Sequence, residues 1–160
     1  MLAIEAADNA EVSCVILPLR GYQVVVPAVC IAEVLPWRPL RPIEGGPRWC
    51  PGALTWHGES VAVVDHEALE SAGKGAEPLP GRCLAVINRT TPGGARAFYA
   101  LAVNGIPRLV QLAQMDVAAE HSPETPAELL RVMVGTELLV IPDLASLERQ
   151  VAELPTERAR

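Results

Sequence analysis

Polar and apolar positions along this chain fall into short runs, and few of the runs carry a helical period. Residues 12–19 form one apolar run, broken only by Ser13 and closed by Arg20 and Gly21, the pattern of a buried strand followed by a turn. Residues 22–26 are rich in valine and predict the returning strand, which Pro27 ends. Residues 29–35 fit either a single helical turn or a bent strand. Residues 36–51 hold five prolines and the pair Gly45-Gly46. That density excludes a helix and blocks central sheet pairing, so an extended edge strand and then a loop are expected. Residues 52–56 and 60–64 flank a turn at His57, Gly58 and Glu59 and predict a hairpin. Asp65 follows as the N-cap of a short helix over 65–69.

The second half repeats the order. Strands are expected over 82–88 and 97–103, around Gly93-Gly94, and over 106–112; residues 116–129 read as a loop. Residues 131–135 and 138–141 predict a second hairpin, and Asp143 can cap a terminal helix running to about 154. Leu144, Leu147, Val151 and Leu154 give that helix one apolar face. Tyr22 to Pro27, then Val29, then Glu33-Val34 match Tyr99 to Val103, then Ile106, then Leu109-Val110. Gly58 and Asp65 match Gly135 and Asp143. The offsets are 135 − 58 = 77 and 143 − 65 = 78. A fixed offset of that size indicates one supersecondary unit used twice. Residues 71–81 are the Gly- and Pro-rich stretch between the copies. The expected division is therefore one domain over 11–150, with a first barrel half at 12–72 and a second at 80–154, and flexible tails at 1–10 and 155–160. Many short strands without long helices between them predict a mainly β fold of small barrels and argue against βαβ crossovers.

Composition narrows the function. The chain has 160 residues, 50% of them hydrophobic and 4% aromatic, enough for an aliphatic core. A net charge of −6 argues against nucleic acid as a partner. The first residues carry acidic groups where a secretory leader needs basic ones, and the longest uncharged run, 21–32, is too short to insert in a membrane. Cys14, Cys30, Cys50 and Cys83 show no CxxC spacing and read as reduced thiols of a cytoplasmic protein.

No catalytic or metal constellation stands out, and no cofactor is expected. Cys50, His57 and His66 lack the close ligand pairs of structural zinc. Cys14, Cys30 and Cys83 sit in apolar runs, where a thiol behaves as a small hydrophobe; Cys50, between Trp49 and Pro51, is expected to be more exposed. Asp65-His66 resembles an acid–base dyad on paper, but adjacent side chains diverge, so Asp65 reads as a cap and His66 as a solvated first-turn residue. No phosphate-cradling loop is present. A surface remains: Trp37, Trp49 and Trp56, interleaved with Arg38, Arg41 and Arg48, either cover the Pro-rich loop or supply interface anchors. A non-enzymatic binding platform is the reading these residues favour, and a small Cys-dependent enzyme on a β-barrel scaffold is the alternative.

Over residues 11–150 the chain resembles the CheW-like family of chemotaxis coupling proteins. The resemblance rests on the strands at 12–19 and 22–27, on Val29, Glu33 and Val34, and on Pro51-Gly52-Ala53-Leu54. It continues through Gly58, Val61 to Asp65, residues 102–110, Val134-Gly135 and Pro142-Asp143-Leu144. It implies two intertwined five-stranded SH3-like β-barrels with a short C-terminal helix. It also implies a scaffold that docks the regulatory domain of a CheA-type histidine kinase and the cytoplasmic tip of methyl-accepting chemoreceptors. The implied partner-binding set is Val29, Glu33, Val34, Trp56, His57, Gly58 and Asp65. His57 stands where the family carries arginine, and Asn104 where it carries an acid. An imidazole cannot clamp a carboxylate with two bonds as a guanidinium does. Such divergent members look like those of type IV pilus-linked systems, where the output is twitching motility.

Overall fold

In the computed structural model the described residues are 11–70, 81–88, 98–113, 117–123 and 125–155, with the backbone alone for 117–120. The expected tails, almost all of the 71–81 linker and the Gly93-Gly94 turn lie outside them.

Eleven strands and two helices are present among these residues. The first half supplies β1 (Val12–Pro18), β2 (Gln23–Pro27), a 3₁₀ turn (Ala28–Cys30), β3 (Ile31–Pro36), β4 (Gly52–Trp56), β5 (Glu59–Val64) and α1 (His66–Glu70). The second supplies β6 (Cys83–Asn88), β7 (Phe98–Val103), β8 (Arg108–Leu112), β9 (Val117–His121), β10 (Glu128–Val134), β11 (Glu137–Pro142) and α2 (Leu144–Ala152). The stretch after Pro27 is both of the forms its sequence allowed, a 3₁₀ turn and then a strand. Residues 116–129 are not all loop, because β9 pairs with β10.

The two halves exchange strands. One sheet runs β8-β1-β2-β11-β10-β9 and the other β3-β6-β7-β5-β4. In each, a hairpin from one half is flanked by strands of the other. β11 lies parallel to β2, with Leu139 opposite Gln23. β5 lies parallel to β7, with Ala62 opposite Tyr99. Under the repeat, β8-β1-β2-β11-β10 corresponds strand for strand to β3-β6-β7-β5-β4. The mainly β fold of two intertwined SH3-like barrels is therefore what the chain forms, with β9 as a sixth strand that has no counterpart in the other sheet among the described residues. In the five-stranded sheet the place of β9 is held by an isolated bridge from Arg41 to Ala53 on β4.

Double burial explains the continuous apolar runs. Leu54, Val61, Val63, Leu84, Val86 and Ala100 pack together within the five-stranded sheet. Cys14, Ile16, Val25, Val132 and Leu139 do so within the six-stranded sheet. The alternate residues of the same strands, such as Leu17, Val24, Ala62, Val64, Ala85 and Val140, meet in a shared core between the sheets. A strand buried on both faces has no polar face to alternate. Leu147, Val151 and Leu154 add the apolar face of α2 to that shared core, and Asp143 caps the helix by accepting the Ser146 N–H at 3.0 Å.

Candidate functional site

β3 and β4 are the edges of the five-stranded sheet, yet the Trp56 indole N–H on β4 donates to Glu33 Oε1 on β3 at 2.9 Å. Arg38 Nη1 adds a bond to the Thr55 carbonyl at 3.3 Å. These contacts bring the two edges together and put Glu33 beside the β4–β5 turn. That turn is tight: His57 and Gly58 have φ of 48° and 77°, and Trp56 pairs with Glu59 across it. Positive φ at both central residues is the geometry whose twist suits a two-residue hairpin, and Gly58 takes it without side-chain strain. His57 Nε2 lies 3.5 Å from the same Glu33 oxygen. The Trp56 ring meets His57 edge-on at 4.5 Å and Phe98 at 4.9 Å. The indole bond, helped by His57 and the nearby Arg38 charge, draws the Glu33 carboxyl below the usual glutamate range. Glu33 is thus a fixed anion on an aromatic platform.

A β-bulge between Ile31 and Glu33 shifts the register of β3 against β6, and Glu33 and Val34 are both exposed. Val34, Leu35 and Pro36 line one side of an open groove of about 240 Å³; Gly105, Ile106 and Pro107 line the other, with Arg82 and Cys83 also at its wall. Val34 is 41% exposed and Ile106 65%. The far wall is anchored by Asn104 and Gly105, whose N–H groups both donate to the Pro18 carbonyl, at 2.9 and 3.1 Å. A Cβ on Gly105 would lie 2.8 Å from Pro18 Cβ, so only glycine fits this approach. Leu109 on β8 and Val29 on the 3₁₀ turn are also exposed.

Of the residues expected to bind partners, Glu33, Trp56, His57 and Gly58 therefore converge, and Val34 joins them to the groove. Val29 is exposed, and its carbonyl accepts from Asn88 Nδ2. Asp65 stands apart: it is buried, accepts the Ala68 N–H at 3.2 Å as the cap of α1, and meets Arg20 at 3.4 Å. Burial raises its pKa. Ile106 and Leu109 were not among the expected site residues, although the repeat already aligned them with Val29 and with Glu33-Val34.

Two expectations are overturned. His66 is not solvated: it is 1% exposed, with Nδ1 at 2.6 Å from the Tyr22 hydroxyl and Nε2 at 3.2 Å from the Ala127 carbonyl. Cys50 is not exposed: the Pro-rich loop folds it into the shared core, and its thiol donates to the Gly52 carbonyl at 3.6 Å. Burial also pushes the Cys14, Cys30 and Cys83 thiols up, opposite to what an activated nucleophile needs. Among the described residues no group of three or more His, Cys, Asp or Glu is placed to hold a metal ion, and no helix is long and apolar enough to cross a membrane.

A family model described as the CheW-like domain matches residues 13–151. Comparison with curated proteins returns no match. Among solved structures, the chain is similar to the scaffolding protein TtCheW from Thermoanaerobacter tengcongensis. The likeness has a TM-score of 0.66 and 11% identity and covers 84% of this chain and 85% of that one. At that identity it speaks for the fold.

Proposed function

Because the chain belongs to the CheW-like family of chemosensory scaffold proteins, we propose that it acts without catalysis, as the adaptor between chemoreceptors and a CheA-type histidine kinase. The observation that carries the reading is the apolar groove walled by Val34 and Ile106 beside the Glu33, Trp56 and His57 platform. A groove with exposed aliphatic walls suits the apolar stripe of an amphipathic helix, such as a receptor tip presents. The fixed Glu33 anion and the Trp56 ring offer a second contact of different chemistry, suited to a basic residue at the edge of a kinase domain. A protein with two such contacts joins two partners without altering either covalently. Such partners would place it in the cytoplasm.

His57 weakens the analogy with an arginine-bearing turn in a defined way. It touches Glu33 through one nitrogen, so Glu33 keeps acceptor capacity that a bidentate guanidinium would consume. The turn therefore presents Glu33 as a more available acceptor.

The test is a pull-down from native cells on the immobilised full chain. Recovery of a chemosensory kinase and a receptor, each lost with a different substitution at Ile106 or Glu33, is the expected result. Recovery of neither partner would overturn the proposal. A small Cys-dependent enzyme gains no support, since three of the four thiols are raised by burial and Cys50 is buried.

A further inference from the structure

The helix α1 carries a buried polar cluster that adaptor function does not use. It sits where the first half meets the second. Glu67 accepts the Arg20 and Gly21 N–H groups at 2.9 and 2.7 Å and ties the β1–β2 turn to α1. The Ala127 carbonyl can only accept, so His66 Nε2 carries its proton; Nδ1 is then a lone pair that accepts the Tyr22 O–H. His66 is thereby fixed as a neutral ring, in keeping with the lowering of its pKa by burial.

This arrangement leaves Glu70 without an N–H donor from histidine. Glu70 Oε1 lies 3.8 Å from His66 Nδ1, is buried and has no hydrogen-bond partner among the described residues. The His66 bond to the Ala127 carbonyl sets α1 against the start of β10, and this brings the Glu70 carboxyl beside Glu128 and Thr125. Glu128 has a fully buried side chain, and Arg131 engages both its oxygens at 2.7 Å. Two carboxyls in contact cannot both ionise cheaply away from water. Since Glu128 holds the guanidinium, the proton belongs on Glu70.

We propose that Glu70 and Glu128 form a proton-operated latch, a carboxyl–carboxylate pair whose shared proton holds α1 of the first half against the start of β10 in the second. The charged and titratable groups around the pair are Asp65, His66 and Glu67 from α1 and its cap, Arg20 and Tyr22 from the β1–β2 region, and Arg131 from β10. His121 stands opposite Arg131 in the β9 register. Burial and the contact with Glu128 move Glu70 to about 7. The folded protein therefore keeps a proton that the released chain gives up near 4.5. The latch is fully closed below about 4.5, loosens as pH rises through about 7, and stays loosened above it.

The test is a titration of the full chain from about pH 4 to pH 9. Side-chain carboxyl carbon shifts are followed by NMR, and amide exchange over 66–70 and 125–131 by mass spectrometry. The Glu70 carbon should titrate with a midpoint near 7. Exchange-competent opening, referenced to Glu70→Gln at the same pH, should rise tens-fold between about pH 5 and pH 8. Glu70→Gln, whose amide donates to Glu128 as the protonated acid does, should abolish the pH dependence. A Glu70 midpoint below about 5, or the same pH dependence in Glu70→Gln, would overturn the latch. If the variant fails to fold, the wild-type carbon titration decides alone.

Discussion

Replacing Ile106 with alanine separates docking from folding at the groove. Full burial of an isoleucine side chain is worth about 1.5–3 kcal/mol. Ile106 is 65% exposed in the free chain, so a helix seated in the groove can gain roughly two-thirds of that, about 1–2 kcal/mol, from this side chain. Truncation should weaken the complex by about 5- to 30-fold. The same exposure makes the side chain nearly irrelevant to folding, so the melting temperature should move by no more than about 2 °C. The assay is calorimetric titration of a receptor-tip helical hairpin into wild type, Ile106→Ala and Val34→Ala, with melting curves taken on the same samples. Binding of both variants within about twofold of wild type would refute the groove as the docking site. A large fall in melting temperature would instead show that Ile106 is buried in a packing the structure does not contain.

Other substitutions test the rest of the argument. Glu33→Lys should abolish binding of one partner and leave the other intact, with a nearly unchanged melting curve, because the carboxylate bonds only at the surface; collapse on thermal denaturation would make Glu33 structural. Asp65→Ala removes the cap of α1 and should cost about 1 kcal/mol, or roughly 2–4 °C, without changing affinity for either partner; weaker binding at unchanged stability would return Asp65 to the interface. Leu147→Ala deletes a fully buried side chain of the shared core and should cost about 2–5 kcal/mol by urea denaturation. A loss under about 1 kcal/mol would mean α2 is only loosely attached to the barrels.

Strands were legible because both their faces are buried, so apolar runs such as residues 83–88 stand out from the turns around them. Strand partners were not legible. Nothing local in Gln23–Pro27 says that it will lie beside Glu137–Pro142, since pairing is chosen by shape across more than a hundred residues. β9 escaped notice because a five-residue strand ending in Glu120 and His121 has little apolar signal, and its evidence is the neighbouring β10. His66 was misplaced for a similar reason. Its polarity suggested solvent, while its burial is set by Tyr22 and Ala127, which are 44 and 61 residues away. The aromatic platform was half visible: the sequence marked Trp56, His57 and Glu33, but Phe98 reaches Trp56 only because β7 inserts between β5 and β6.

The exchange of strands sets a timetable for the nascent chain. The five-stranded sheet has all its members by Val103, so it can close while β8 to β11 are still being made. The six-stranded sheet cannot. Its first hairpin, β1–β2, is made well before its parallel neighbour β11, which ends at Pro142. Until then Ile16, Leu17, Val24 and Val25, all buried in the finished protein, lack the partners from β10 and β11. Closing so long a loop is slow, and an apolar hairpin held open meanwhile is an aggregation hazard. Chains stalled or truncated before β11 should therefore retain one barrel and expose the strands of the other, which makes β11 the segment on which solubility during synthesis depends.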